Sequence, residues 1–236
     1  MTAIRTLSFT LAFYLFSLVL SILMLPLLIC PWRWTMAAFR FWANSIFVLL
    51  AVFAGVKVEL RGREHIPKGA ALVAAKHQCM FDVFAQFAWL DDSCWVMRKE
   101  LMRIPLFNFY AWKVRMIVLD REGGSNALRK LVRDARERLE EAPRPVAIFP
   151  EGTRGKPGVA GVYQPGVAGL YRDLELPCYP VATNSGVHWP MPGKNRPTGT
   201  IVFEYLPPIP ASLKRAEFMR RLEEQVETAS NALLSA

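Results

Sequence analysis

The sequence predicts an α/β fold, in which a central mostly parallel or mixed sheet is flanked by helices and preceded by an N-terminal membrane-embedded helical segment. Three observations support this prediction. The first 56 residues contain three basic residues and no acidic one, whereas residues 57–236 contain the other 26 basic and all 20 acidic residues. Apolar runs of strand length alternate with amphipathic stretches in this second part. With 53% hydrophobic and 21% charged residues, the 236-residue chain is not of the disordered class.

The N-terminal part is predicted to lie in a membrane. The run from Leu7 to Cys30 has 24 residues and no charge, long enough for a helix to cross a hydrocarbon core about 30 Å thick. Trp and Arg alternate after Pro31, which suits the headgroup region of a bilayer. A second uncharged run, Phe41 to Val56, has 16 residues and is short for a full crossing. Two arrangements satisfy this pattern, a spanning helix and a hairpin within one leaflet.

The distribution of charge predicts which side of the membrane the rest of the chain faces. Basic residues that follow the second run outnumber the nearby acids Glu59 and Glu64. They are Lys57, Arg61, Arg63, Lys68 and Lys76. Because segments rich in Lys and Arg stay on the cytoplasmic side, we expect the following domain to face the cytoplasm. We therefore divide the chain into membrane-associated helices, residues 1–56, and one globular domain, residues 57–236.

The globular domain contains six apolar runs with the length and composition of buried strands. They are Ala70 to Ala75, Cys94 to Met97, Met116 to Leu119, Val146 to Phe149, Tyr179 to Ala182 and Thr200 to Tyr205. Two stretches have the apolar periodicity of core-facing helices, Ser125 to Glu141 and Leu213 to Leu234. Ser212 is the expected N-cap of the second helix. Strands that alternate with helices are typical of layered α/β structures.

A histidine and an aspartate follow the first of these strands. His77 is expected in the loop after the strand, and Asp82 in the first turn of a helix that begins close to Met80. Five residues on one continuous helix turn through about 500°, so only a bend between strand and helix brings these side chains together. The carboxylate would then orient the imidazole and make its other nitrogen a better base. For this pair taken alone, a surface ion pair is the alternative.

A second polar group follows the strand that begins at Val146. Its members are Glu151, Gly152, Thr153 and Arg154. A carboxylate, an unhindered amide, a hydroxyl and a guanidinium suit the recognition of a phosphate or an oxyanion. A turn that uses Gly152 for its backbone freedom is the alternative. The two polar strand ends together favour an active site.

The segment from Arg98 to Arg121 is basic and aromatic. It contains six basic residues and two acids, with Phe and Trp interleaved among them. This composition suits a phosphate headgroup, an anionic membrane or a solvated face. No RNA-stacking or helix-turn-helix motif accompanies it, so we do not expect nucleic acid as a partner.

Four blocks along the chain resemble those of the bacterial 1-acyl-sn-glycerol-3-phosphate acyltransferases, within the glycerophospholipid acyltransferase superfamily. The H-x-x-x-x-D block matches His77 to Asp82, and the F-P-E-G-T-R block is complete from Phe149 to Arg154. The acyl-acceptor block matches KELMRIPLF, starting at Lys99, followed by Leu119, Asp120 and Arg121. The hydrophobic block matches Leu176 to Val181. Where the family often has Ser, this chain has Cys79.

The resemblance implies a glycerol-3-phosphate acyltransferase-like fold and direct acyl transfer. His77, held by Asp82, would act as general base on the sn-2 hydroxyl of a lysophospholipid acceptor, which attacks the thioester of acyl-CoA or acyl-carrier-protein. The residues that would bind substrate are Arg121, Glu151, Gly152, Thr153, Arg154 and Lys99. The product would be phosphatidic acid, made at the bacterial inner membrane. No cofactor and no metal are implied.

Three alternatives differ in reaction or acceptor. The same transfer onto another lysolipid, such as lyso-ornithine lipid, would use the same catalytic residues. A thioesterase or hydrolase would use Cys79 as nucleophile beside His77. A membrane-bound lipid-binding protein would retain the fold without catalysis.

Overall fold

The computed structural model describes residues 2–120, 124–190 and 195–235. In these residues a seven-stranded sheet has the order β1-β7-β6-β2-β5-β3-β4. Neighbouring strands are parallel, except for the antiparallel pair β6 and β7. The strands are β1 (Val56–Arg61), β2 (Ala71–Ala75), β3 (Cys94–Arg98), β4 (Ile117–Leu119), β5 (Pro145–Ile148), β6 (Cys178–Thr183) and β7 (Gly199–Tyr205). The predicted mixed sheet, and each of the six predicted strands, is confirmed.

The sequence did not predict β1. Its apolar residues Val56, Val58 and Leu60 alternate with charged ones, as they do in a half-exposed strand. The charges of this segment predict a membrane flank and not a strand. Pairing with β7 places β1 at the edge of the sheet, where an alternating pattern with one exposed face is stable.

Eight α-helices lie in the described residues. They are α1 (Thr2–Leu23), α2 (Trp32–Leu49), α3 (Phe81–Ala85), α4 (Phe107–Lys113), α5 (Gly124–Glu141), α6 (Pro165–Leu174), α7 (Ser185–His188) and α8 (Arg215–Ala232). Helices α5, α6 and α8 pack on one face of the sheet, against side chains such as Leu72 and Ala74 of β2. Helices α1, α2 and α3 pack on the other face, against Val73 and Ala75. Successive residues of β2 therefore face two different helical layers.

The predicted N-cap of the last helix is wrong. Helix α8 begins at Arg215, and Lys214 occupies the N-cap without a side-chain cap. The backbone N–H of Leu213 donates instead to the hydroxyl of Tyr171, 3.0 Å away. This tertiary contact keeps the segment after Ser212 out of the helix.

The two N-terminal helices are long and apolar enough to cross a membrane by length and composition. A π-helical turn, Leu50–Ala54, continues α2, so the second candidate span has 23 residues, from Trp32 to Ala54. The uncharged run is thus part of a longer helix as far as Ala54, and this helix also contains basic Arg33 and Arg40. One side packs on the sheet through Phe9, Phe13, Phe39, Ala43 and Ile46. The other sides expose large apolar residues, among them Leu11, Leu15, Leu18, Ile22, Phe41, Val48 and Val52.

Candidate active site

The predicted polar residues lie together at the carboxyl ends of adjacent parallel strands. His77 follows β2, Glu151 follows β5 and Lys99 follows β3, three strands that are neighbours in the sheet. Ligands of open α/β sheets bind outside these ends. Residues from separate parts of the chain are thus gathered by the sheet itself.

Asp82 organises the loop that carries His77. Its Oδ2 atom accepts hydrogen bonds from the backbone N–H groups of Gln78, at 2.6 Å, and Cys79, at 2.8 Å. The same oxygen lies 3.1 Å from Nδ1 of His77, and Oδ1 accepts a hydrogen bond from the hydroxyl of Ser185. Asp82 is fully buried, in the first turn of α3. The bend between strand and helix that the spacing predicts is therefore present, and one carboxylate holds both its backbone and its imidazole.

The imidazole of His77 is oriented for proton transfer. An ionised carboxylate only accepts hydrogen bonds, so Nδ1 carries the proton that faces Asp82, and Nε2 is left as the basic nitrogen. The ring stacks on Phe149, with centroids 4.1 Å apart and planes 18° from parallel. Rotation of the ring is thus restricted on one side by packing and at Nδ1 by the carboxylate.

Glu151 is buried behind His77 rather than presented at the surface. Its Oε2 accepts a hydrogen bond from the backbone N–H of His77 at 3.1 Å, and its Oε1 lies 2.8 Å from Nζ of Lys76. Gly161 packs against this carboxylate so closely that a Cβ there would lie 2.4 Å from Oε1. The carboxylate of Glu151 therefore contacts the loop that carries His77 and the segment around Gly161.

Lys76 is a buried charged residue next to the site that the sequence analysis missed. The prediction that it belongs to the basic flank of the membrane segment is wrong, because its side chain is 1% exposed. Besides Glu151 it contacts Glu227 of α8, with Nζ 2.7 Å from Oε1. The available signal was periodicity, since Lys76 continues the alternation of Leu72 and Ala74, which face the buried helical layer.

The other predicted substrate-binding residues that the structure describes lie at the same end of the strands. Thr153 and Arg154 are exposed, and the N–H of Gly152, at φ +65°, donates to the carbonyl of Phe149 at 2.9 Å. Lys99 is partly exposed, with Nζ 2.8 Å from Oδ2 of Asp120. Arg121 lies outside the described residues. Thr153 and Arg154 are thus open to solvent, whereas Glu151 is buried.

Comparisons with known proteins agree with this geometry. The model of the Acyltransferase family matches residues 57–184, more than half of the chain. The chain belongs to this acyltransferase family. It is 32% identical over 186 residues to the 1-acyl-sn-glycerol-3-phosphate acyltransferase of Pseudomonas aeruginosa, covering 77% of this chain and 70% of the relative. It is 36% identical over 105 residues to the enzyme of the same name from Helicobacter pylori, covering 44% and 43%.

A solved structure confirms the fold of this acyltransferase. The crystal structure of the 1-acyl-sn-glycerophosphate acyltransferase PlsC from Thermotoga maritima matches with a TM-score of 0.83 and 22% sequence identity. The match covers 100% of this chain and 99% of the other. The two N-terminal helices are therefore included in the shared architecture, and the resemblance stated from the sequence motifs is confirmed.

Cys79 is poorly placed as a nucleophile in this acyltransferase. It is buried, and its Sγ lies 3.7 Å from Oδ1 of Asp82. Burial first, and then the negative charge of Asp82, raise the pKa of the thiol well above its ordinary value. The thiolate that a cysteine nucleophile requires is thus disfavoured at this position.

Among the described residues, no cluster of three His, Cys, Asp or Glu side chains could hold a metal ion.

An apolar cavity of about 310 Å³ lies between α1, α2 and α4. Its lining includes Leu18, Met24, Phe39, Trp42, Phe87 and Phe107. A series of T-shaped, tilted and stacked ring contacts leads from it toward the loop that carries His77. The ring centroid of Phe87 lies 6.5 Å from that of Trp95, which lies 5.0 Å from that of Phe149, the residue stacked on His77. The aromatic side chains of Phe87, Trp95 and Phe149 thus lie between the cavity and His77.

Proposed function

We propose that this acyltransferase transfers a fatty acyl group from an acyl thioester to the sn-2 hydroxyl of 1-acyl-sn-glycerol-3-phosphate, giving phosphatidic acid in phospholipid biosynthesis. The observation that carries the proposal is the contact of 3.1 Å between Nδ1 of His77 and Asp82. It leaves Nε2 as the base, and the backbone of His77 is bonded to the loop that follows β5, because its carbonyl accepts from the N–H of Gly155 at 2.8 Å. The names of the two bacterial relatives supply the acceptor.

The residues divide the reaction between proton transfer and charge stabilisation. Nε2 of His77 takes the proton of the acceptor hydroxyl while its oxygen bonds to the thioester carbon. The tetrahedral intermediate then expels the thiolate, which takes the proton from His77, so the C–S bond breaks as the ester is completed. No acyl-enzyme is formed, and the step requires neither a cofactor nor a metal.

The acceptor phosphate is assigned to the exposed cations at the sheet edge. Arg154 can bind a phosphate through two N–H groups, and Lys99 provides a point charge. Thr153 adds a hydroxyl, and Arg121 and Gly152 complete the set implied by the sequence motifs. Because Glu151 is buried and bonded to Lys76 and to the His77 backbone, we assign it to the support of the catalytic loop rather than to direct substrate contact.

We place the enzyme at the bacterial inner membrane, with the catalytic domain facing the cytoplasm. The exposed apolar surfaces of α1 and α2 support this placement. A second exposed apolar group, Ile104, Phe109 and Trp112, lies in and before α4, next to basic Arg103 and Lys113. Apolar rings mixed with cations suit an anionic bilayer surface. The cavity between α1 and α4 would accept part of an acyl chain from that side.

The test uses the purified full-length protein in vesicles of phosphatidylglycerol and phosphatidylethanolamine. Radiolabelled acyl-CoA or acyl-carrier-protein is supplied with 1-acyl-sn-glycerol-3-phosphate or with lyso-ornithine lipid. We expect labelled phosphatidic acid, formed about 100- to 10,000-fold more slowly by His77→Ala, which is the usual contribution of a general base. Comparison of the rates with acyl-CoA and with acyl-carrier-protein shows which thioester is the acyl donor.

Two results would contradict the proposal. Transfer to lyso-ornithine lipid alone would keep the mechanism and replace the acceptor. Release of free fatty acid that disappears in Cys79→Ser would establish a hydrolase, whereas direct transfer should survive this substitution. A Cys79→Ser variant with normal transfer is the expected result, since the thiol is buried beside Asp82.

A further inference from the structure

Lys76 is buried in the helical layer opposite to His77. Consecutive residues at the end of β2 point to opposite faces of the sheet, so Lys76 enters the layer of α8 while His77 faces the layer of α1 and α2. The ammonium group lies 2.8 Å from Oε1 of Glu151 and 2.7 and 2.9 Å from the two oxygens of Glu227. A third acceptor, the carbonyl of Val159, lies 3.3 Å away. The three N–H groups of the ammonium can therefore donate to the two carboxylates and to this carbonyl.

Glu227 brings a further buried partner to this cluster. Its Oε1 accepts a hydrogen bond of 3.0 Å from the hydroxyl of Tyr163. Burial first, and then the charge of Glu227, hold the pKa of Tyr163 far above its ordinary value, so the hydroxyl remains a donor. Helix α8 is thus joined by side-chain hydrogen bonds to the loop after β5 and to the end of β2.

The buried cluster of Lys76, Glu227 and Tyr163 is connected through Glu151 to the loop that carries His77, residues 76–82. One oxygen of Glu151 bonds Lys76, and the other accepts the backbone N–H of His77 at 3.1 Å. The next two N–H groups of the loop donate to Asp82. Two carboxylates from opposite sides therefore hold three consecutive amides, and the position of the His77 backbone depends on where Glu151 is held.

We infer that Glu227 is a positioning residue for the catalytic histidine, acting from helix α8 through Lys76 and Glu151. This inference rests on the proposed function for its kinetic test. Helix α8 is already docked by its buried apolar residues Phe218, Leu222 and Val226. A buried ion pair adds little stability over an apolar pair of the same size. The charged cluster is therefore better explained by the geometry that it imposes on His77 than by the docking of α8.

The kinetic test compares Glu227→Gln with Asp92→Asn. Asp92 forms an ion pair with buried Arg144, with 2.7 Å between Oδ1 of Asp92 and Nη2 of Arg144. Arg144 directly precedes β5, so this pair lies at the amino ends of the strands, away from His77. The Gln side chain keeps the shape of Glu227 but turns an N–H₂ group toward Lys76. We expect kcat to fall about 10- to 100-fold, the effect of displacing a catalytic group by about 1 Å. The KM of both substrates should stay within about threefold, because Glu227 is inferred to act through Lys76 and Glu151 and not on the substrates.

The control decides whether lost stability explains the result. Asp92→Asn should lower the Tm at least as much as Glu227→Gln and leave kcat unchanged. The inference is overturned if folded Glu227→Gln keeps the kcat of the wild type, or if Asp92→Asn lowers kcat equally.

A second measurement works without any substrate. Hydrogen exchange, followed by mass spectrometry on a peptide that covers residues 76–82, reports the amides bonded to Glu151 and Asp82. Glu227→Gln should increase exchange in this peptide at least about 10-fold, since local opening exposes amides to solvent. Asp92→Asn should not. Unchanged exchange would reject the positioning role even if the protein transferred acyl groups to a different acceptor, so the two proposals can fail separately.

Discussion

The two ends of the parallel strands each bury a basic side chain, and the partners of the two side chains differ. Lys76, at the carboxyl end of β2, contacts the carboxylates of Glu151 and Glu227. Arg144, before the amino end of β5, pairs with Asp92 and donates to the carbonyls of Ser93, at 3.0 Å, and Val114, at 3.1 Å. Both side chains are 1% exposed.

The difference teaches that burial of a charge does not by itself indicate a function. Arg144 joins backbone carbonyls of loops at the end of the sheet away from His77, so its loss should affect stability alone. Lys76 holds a carboxylate that bonds the backbone of His77, so a change around it should reach the reaction. Four substitutions test this contrast.

Asp82→Asn should have the largest effect. The amide lacks the negative charge that orients Nδ1 of His77 and stabilises its protonated ring, and its N–H₂ group replaces one of the two oxygens that accept hydrogen bonds here. We expect acyl transfer to fall about 100- to 10,000-fold, the range for loss of general-base catalysis. Asp91→Asn is the matched control, because Asp91 forms an exposed pair with Arg40. Transfer by Asp82→Asn within tenfold of the wild type would contradict the role of the pair.

Gly161→Ala should have an intermediate effect at the same end of the sheet. The added Cβ would lie 2.4 Å from Oε1 of Glu151, so the carboxylate must move away from Lys76. A displacement of this kind should lower kcat about 10-fold. In the control Gly166→Ala, the new Cβ meets Leu131 at an ordinary 3.5 Å. Equal kcat values in the two alanine variants would show that the position of Glu151 is unimportant.

Asp92→Asn should change stability and leave kcat unaltered. It leaves the guanidinium of Arg144 buried without its ionic partner, which we expect to cost about 2 kcal/mol, below the usual cost for a fully buried pair because Asp92 is partly exposed. For a chain of this length the Tm should fall by about 4 to 8 °C. Thermal unfolding and steady-state kinetics on one preparation measure both quantities. A fall in kcat would remove the contrast between the two ends.

Glu224→Gln should have the smallest effect. Glu224 lies on α8, three residues before Glu227, and forms an exposed pair with Arg220 at 3.0 Å. Exposed pairs of this kind contribute about 0.5 kcal/mol or less, so kcat should not change and the Tm should shift by less than about 2 °C. A clear loss of activity here would mean that any change of charge on α8 disturbs the site, and would weaken the specific role of Glu227.

Local spacing predicted much of the candidate site. His77 and Asp82 are five residues apart, and a bend after a buried strand is sufficient to bring them into contact. The strand before Glu151 was equally visible as an apolar run. The contacts of Glu151 could not be predicted in this way. Its partner Lys76 is 75 residues away in the sequence, and no local pattern around Lys76 indicates an ion pair with Glu151.

The sequence by itself determined the alternation of strands and helices, the apolar N-terminal helices and the polar residues at two strand ends. These features depend on periodicity and on neighbours within a few residues. Only the tertiary structure decided that β1 lies at the sheet edge, that Leu213 stays outside α8, and that Glu227 meets Lys76 across 151 residues. The physical reason is that the burial of a charged side chain and the identity of its partner depend on how distant elements pack together. Neither can be predicted from the residues near it in the sequence.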